Sequence, residues 1–331
     1  MLRFIIILFS AVICYLNFIV FKSYVIQTNV VEDFNTLNFK EENYRKLENT
    51  EINFPNISAT GFPMYALLAN YKIMFQDFNG ALEILNNNKD INPYLRVRES
   101  LKAEVFFRLG VRDSSYYYSK IAFDSLPRNS RHFRQYVTEL TWRKDLDEIN
   151  KIFLKSKSKS NQEYWLTYLS AVINLKANED NHIDSLAKVA LKKFPKDNKI
   201  KAIVGYILYG QENIKKSYVL FDEGIKSYNE SDFDSASKKF IEAVKLNPID
   251  YSFKENAGMS LINKGNFKEA ITYLEQSLNT IDKPNDGKAE YGLGMCYKEL
   301  KQKAKSCEYL SKAIRLNYKP AFNYFSQNCN K

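Results

Sequence analysis

The sequence predicts an all-α chain: a helical-repeat solenoid in two arrays behind a single N-terminal transmembrane helix. Three observations carry this fold class. Glycine and proline number only 11 and 8 in 331 residues, whereas 45% of residues are apolar and 15% aromatic, which argues against a turn-rich β protein and against disorder. Small residues recur at a step of 34, a period that signals stacked helix pairs. An unbroken apolar run occupies the N-terminus.

The short tail 1–3 carries Arg3, and residues 4–21 then hold no charged side chain before Lys22. At 1.5 Å per residue this run spans ~27 Å, close to the ~30 Å hydrocarbon core of a bilayer. A secretory signal peptide is the competing reading, but its apolar region is shorter and it ends in small residues. No such site is visible, and Ile13 stands before Cys14 where a lipobox needs a small residue, so an uncleaved anchor is preferred. Arg3 with the terminal amine faces Lys22 across the span, leaving the charge bias nearly balanced. The short tail favours a single-pass arrangement with the remainder exported, that is periplasmic; a cytoplasmic-facing soluble part is the alternative.

Residues 22–62 read as a polar tether, interrupted at Asn53-Phe54-Pro55-Asn56-Ile57. The first array is expected over 63–209. Ala69, Ala103, Val137, Ala171 and Gly205 stand at equal steps of 34, and Ala81, Ser115, Ile149 and Ile183 follow the first four at twelve residues. Pro93, Pro127 and Pro195 mark unit ends. This array is degenerate, since Val137 and Ile149 are bulky for close helix packing and Asn161 takes the place of a proline.

Gly205 and Gly224 are only 19 residues apart, a slip of about one helix, so a break with an odd joining helix is expected near Tyr209-Gly210-Gln211-Glu212-Asn213. The second array, 210–331, is clearer. Gly224, Gly258 and Gly294 are followed after twelve residues by Ala236, Ala270 and Ser306, and after sixteen by Phe240, Leu274 and Leu310. A small residue recurs after nineteen, as Ala243, Ser277 and Ala313. A glycine in a first helix lets the second approach, and the large residue fills the groove towards the next unit. The 36-residue step from Gly258 to Gly294 reflects two extra residues in the loop Asp282-Lys283-Pro284-Asn285-Asp286-Gly287. Pro320 to Cys329, with Ala321, Tyr324 and Phe325, reads as a C-terminal capping helix.

The run Phe221-Asp222-Glu223-Gly224…Tyr228…Asp232-Phe233…Ala236…Phe240…Ala243…Asn247-Pro248 resembles the tetratricopeptide repeat (TPR) family. Gly265-Asn266-Phe267 with Glu269-Ala270, and Leu293-Gly294…Tyr297…Ser306…Leu310…Ala313, continue the likeness, which is fullest over 215–331 and fainter over 62–130 and 131–205. The family tryptophan is absent, so Trp142 and Trp165 do not contribute. A narrower likeness, through Gly287-Lys288-Ala289-Glu290-Tyr291…Ser306-Cys307-Glu308-Tyr309-Leu310 and Asn92-Pro93-Tyr94-Leu95, is to repeat regions of bacterial envelope proteins, some fused to O-antigen ligase or polymerase-type membrane domains. With one hydrophobic span, the polytopic catalytic part of such proteins is missing here.

Little in the chain points to catalysis. There is no P-loop, G-x-S-x-G, H-E-x-x-H or G-x-G-x-x-G, and no cofactor or metal is expected. The pair Asp232 and Asp234 brackets a turn the repeat requires, and His132 and His182 read as ordinary helix residues. The chain is therefore expected not to be an enzyme. Its net charge of +10 is spread along a Lys- and Asn-rich chain, and Lys155-Ser156-Lys157-Ser158-Lys159-Ser160 reads as a solvated end rather than a phosphate site. The cysteine spacings fit no zinc pattern; Cys307 and Cys329 are either bridged or two free helix thiols, and Cys296 is left single.

The expected functional surface is the groove lined by first helices: Tyr218, Tyr228, Asn229, Asn256, Asn263, Tyr291 and Lys298. Aromatic, amide and ammonium groups suit an extended peptide or a helix. The leading expectation is a membrane-anchored scaffold that binds a protein partner in the cell envelope, with no small-molecule substrate. The alternatives are an accessory or regulatory subunit of a glycan-assembling membrane enzyme and a nucleic-acid binder, though no nucleic acid is expected as partner.

Overall fold

The computed structural model describes residues 2–49, 57–58, 61–89, 91–156, 161–176, 181–280 and 283–329. Among these the chain is helical apart from turns and one isolated bridge between Ile57 and Pro63. It divides into two compact units, Met1–Ala171 and Val172–Lys331. Most of the Asn53–Ile57 interruption and of the Lys155–Ser160 run lies outside the described residues.

The first unit opens with α1 (Leu2–Thr36) and α2 (Glu41–Glu48), followed by the helices α3 (Met64–Met74), α4 (Phe78–Asn87), α5 (Val97–Arg108), α6 (Arg112–Ser125), α7 (Ser130–Arg143) and α8 (Leu146–Lys155). Helix α9 (Gln162–Asn174) runs across the division between units. The pairs α3–α4, α5–α6 and α7–α8 are the repeats that the 34-residue step implies. Ala69, Ala103 and Val137 are buried on the first helices and Ala81, Ser115 and Ile149 on the second.

The expected tether, 22–62, is corrected in its first half. Helix α1 continues past the apolar run to Thr36 and α2 folds back beside it, so Ile26, Val30, Tyr44 and Leu47 form one core with Met64, Leu67, Leu68 and Tyr71 of α3. Asp33, fully buried, joins the three helices: its carboxylate accepts from the Tyr71 hydroxyl at 2.6 Å, the Asn43 amide at 3.0 Å and the Lys40 backbone N–H at 3.1 Å. Burial alone would raise this carboxyl, but these donors hold it below its ordinary value. Residues 4–18 are exposed throughout, and among the described residues α1 is the one helix long and apolar enough to cross a membrane, with a mean hydropathy of 2.7 over its best window.

The second unit contains α10 (Asn181–Lys193), α11 (Asn198–Tyr209), α12 (Gln211–Asn229), α13 (Phe233–Leu246), α14 (Tyr251–Asn263), α15 (Phe267–Leu278), α16 (Lys288–Glu299), α17 (Lys303–Arg315) and α18 (Lys319–Cys329). The slip between Gly205 and Gly224 has a simple origin. Helix α11 has no second helix of its own: Gly210, at φ +85°, turns the chain directly into α12. Because α10 and α11 pack in sequence onto α12, the division falls at Ala171 rather than at the expected 209.

Close helix contact explains the glycine ladder. A Cβ placed on Gly224, Gly258 or Gly294 would lie 2.7, 2.6 and 2.6 Å from Phe240, Leu274 and Leu310, the residues sixteen positions on. Leu274 also reaches forward, 2.9 Å from a Cβ built on Gly292 of the next pair, so it fills both grooves. The residue twelve positions on also faces its slot. Ser306 donates to the Gly294 carbonyl at 2.8 Å, and in the first unit Ser115 donates to the Ala103 carbonyl at 3.0 Å, the same bond at the same offset.

Each pair turns in the same way. Gln76, Gly110 and Lys144 in one unit, and Ser231, Gly265 and Lys301 in the other, adopt left-handed backbone after the first helix. Their N–H groups bond three residues back, and the following N–H bonds five back, as in Asn266 to Leu261 at 2.8 Å and Gln302 to Tyr297 at 2.8 Å, closing the exposed carbonyls of the helix end. Asp77, Asp145 and Asp232 then cap the second helices through Gly80, Glu148 and Ser235 N–H groups. Asp232 thus has a structural role, and Asp234 bridges Lys238 and Lys264 at 2.5 Å each.

Candidate partner-binding surface

Helices α12, α14 and α16 succeed one another along the second unit, with Phe221 stacked on Phe253 at 4.8 Å between the first two. The seven expected groove residues lie on these helices, and the structure sorts them into engaged and open groups. Tyr228 and Asn263 are brought together directly, the amide donating to the phenol oxygen at 2.8 Å, with the Tyr228 ring edge-on to Phe233 at 5.4 Å. Asn256 donates to the Ser252 carbonyl within its own helix. Tyr291 is held by the capping helix, 5.3 Å from the Tyr318 ring and 5.7 Å from Tyr324. Asn229 and Lys298 are exposed at helix ends, Lys298 pairing with Glu299 at 2.6 Å.

Tyr218 is half exposed. Its ring stands edge-on to Phe253 at 5.3 Å and its hydroxyl points to Asp250 at 3.4 Å. Burial, then the Asp250 carboxylate, push this hydroxyl above its ordinary pKa. It lines a recess of about 160 Å³ with Lys201, Asn247 and Asp250. Asn247 is buried there, and its Oδ1 has no hydrogen-bond partner. Sequence reasoning treated Asn247-Pro248 as a unit end and missed this recess.

It also missed a buried charge cluster. Glu255 stands three residues before Gly258, where the neighbouring units have Phe221 and Tyr291. Its carboxylate meets Lys283 at 3.1 Å and Lys288 at 3.2 Å, and Lys283 also pairs with Asp286 at 2.7 Å. Burial alone would lower the Lys283 ammonium, but the Asp286 hydrogen bond and the Glu255 charge outweigh it and raise the group. The lengthened loop thus supplies Lys283, and the first residue of α16 supplies Lys288, to neutralise Glu255. A charged residue in an aromatic slot was the signal available in the sequence.

The cap is covalently tied, since Cys307 of α17 and Cys329 of α18 form a disulfide with Cα atoms 5.6 Å apart. Cys296 is buried and single, its thiol pushed up to about 12 by burial. His132 is buried, and among the described residues no group of three His, Cys, Asp or Glu side chains converges as a metal site.

Residues 252–281 and 289–320 match the tetratricopeptide repeat family. No curated protein matches the sequence significantly. Similar solved structures include a chain of the APC/C hetero-tetramer Cut9–Hcn1, at 13% identity and a TM-score of 0.36 over 87% of this chain and 52% of that one. This chain therefore spans about half the length of that relative. The TPR2AB domain of yeast Sti1, solved in complex with pHSP90, is similar at 15% identity and TM-score 0.32, covering 71% of this chain and 97% of its own. YrrB, described as a TPR protein with an unusual peptide-binding site, is similar at 16% identity and TM-score 0.28, with 75% and 96% covered. The helix pairs α14–α15 and α16–α17 are accordingly tetratricopeptide repeats.

Proposed function

We propose that this chain is a non-enzymatic, membrane-anchored repeat scaffold whose second unit binds a protein or peptide partner of the cell envelope along α12, α14 and α16. The observation that carries the reading is the Tyr218 recess, where the buried Asn247 Oδ1 lacks a partner and the Asp250 carboxylate stands beside it. A peptide N–H or a lysine ammonium of the partner meets the Asp250 carboxylate and the Tyr218 hydroxyl at the recess, while the exposed Asn229 and Lys298 extend the contact along the surface. Residues 4–21 serve as the anchor, supported by their exposure and hydropathy, and the repeats are exported. The Cys307–Cys329 bridge fits an oxidising compartment.

The test is a peptide-array screen with the full chain in detergent, followed by affinity measurement on the best sequence. Replacing Asn229, Tyr218 and Lys298 together by alanine is expected to weaken binding about tenfold or more, since a few interface residues dominate affinity, with the helical circular dichroism of the folded chain retained at the assay temperature. Equal affinity for wild type and variant removes the assigned surface. Binding that ignores peptide sequence and falls steeply with salt instead supports a polyanion partner.

A further inference from the structure

We propose that the notch between the end of the apolar run and α2 is a binding site for the phosphate headgroup and upper acyl chain of an anionic membrane lipid. The inference rests on the membrane-anchor reading above and adds a lipid specificity to it.

The notch encloses about 590 Å³. On α1 its wall is made by Phe18, Phe21 and Val25, which fall at three- and four-residue spacing on one helix face and are 63%, 63% and 43% exposed. Lys22 shares that face, and Arg45 and Lys46 approach from α2, with Glu42 also on the lining. Three cations against the two carboxylates of Glu41 and Glu42 leave the mouth with a net positive charge. Arg45 and Lys46 pair with Glu41 and Glu42 of their own helix, at 2.7 and 2.5 Å, and all four side chains are about half exposed or more. Such solvated pairs exchange readily for a phosphate.

Depth orders these groups along one axis. The charge-free run ends at Phe21, so when it spans the hydrocarbon core Lys22 falls at the boundary plane, where lysine reaches towards headgroups. Phe18 and Phe21 then border acyl chains, and Lys22, Arg45 and Lys46 stand in the phosphate layer. The α2 helix cannot swing away, because Tyr44 and Leu47 on its opposite face are buried against α1 and α3, and Asn43 is bonded to Asp33. A rigid positive notch with an apolar wall, positioned at the interface, matches a phospholipid rather than a soluble anion, for which the apolar wall serves no purpose.

The experiment is native mass spectrometry of the full chain released from nanodiscs of phosphatidylcholine mixed with phosphatidylglycerol. Wild type is expected to retain phosphatidylglycerol preferentially. The variant Lys22→Gln/Arg45→Gln/Lys46→Gln is expected to lose that preference by tenfold or more, as each basic group near an anionic surface contributes roughly fivefold. Phe18→Ala/Phe21→Ala is expected to reduce retention of both lipids. Equal retention of the two lipids by wild type, an unchanged preference in the triple variant, or displacement of bound lipid by inorganic phosphate would each overturn the proposal. Alkaline carbonate extraction run in parallel separates the two claims. A protein that stays in the membrane without lipid preference defeats the notch alone, whereas one released by carbonate defeats the anchor.

Discussion

At the scale of single residues, the glycine ladder was legible because packing demands it. Only glycine leaves room where Phe240, Leu274 and Leu310 press on a first helix, so the requirement is written as an identity at fixed spacing. Gly258→Ala gains roughly 1 kcal/mol of helix propensity but sets a methyl 2.6 Å from Leu274 Cγ. Overpacking of this kind costs ~1–3 kcal/mol, so a net loss of about 1 kcal/mol is expected in urea denaturation; a stabilised variant contradicts the contact. Glu255 was legible only as a charge in an aromatic slot, and Asp33 and the Asn247 recess were not legible, since their partners come from loops and from elements whose docking no periodicity encodes. His132 was read as an ordinary helix residue, yet it is buried, and burial, then the charge of Arg131, lower it to about 4. Because the folded value is depressed below the unfolded one near 6.5, the unfolded chain takes up a proton first as the solution is acidified. Stability is complete above pH 6.5 and falls between there and about 4. Between pH 7 and pH 5 the loss is roughly 2 kcal/mol, and it is expected to be absent in His132→Leu when denaturant midpoints are compared at the two pH values.

At the scale of elements, the turn between paired helices is more uniform than its sequence. Six turns share one left-handed residue, yet only Gly110 and Gly265 are glycine there, which is why the sequence showed small-residue ladders more plainly than turns. The side chain of Lys301 is held at φ +60° against its intrinsic preference. Lys301→Gly is therefore expected to raise the melting temperature, by the equivalent of up to ~1 kcal/mol, because left-handed backbone costs a non-glycine residue about that much. A lowered melting temperature would mean that the lysine side chain contributes more than the backbone relief. The tether was misread for a related reason. Residues 22–48 are polar in composition, but Ile26, Val30, Tyr44 and Leu47 fall on the inner faces of two helices whose packing against α3 depends on Asp33. Composition averages over those faces, and a helix of eight residues offers too few turns for its period to stand out.

At the scale of the molecule, the all-helical class and the repeat period were readable because each repeats one local solution. The division into units was not, since it depends on which helices α10 and α11 pack against. The central claim is that the α12–α14–α16 surface meets a protein partner while α1 holds the chain in the membrane. The most direct measurement is photocrosslinking in intact membranes from a photoreactive residue placed at Asn229, with Lys245 on α13 as the control position; both side chains are exposed. A discrete protein adduct from Asn229, absent from Lys245 and lost when Tyr218 is replaced by alanine, is the expected result. Identical adducts from both positions, or none from Asn229, would contradict the claim.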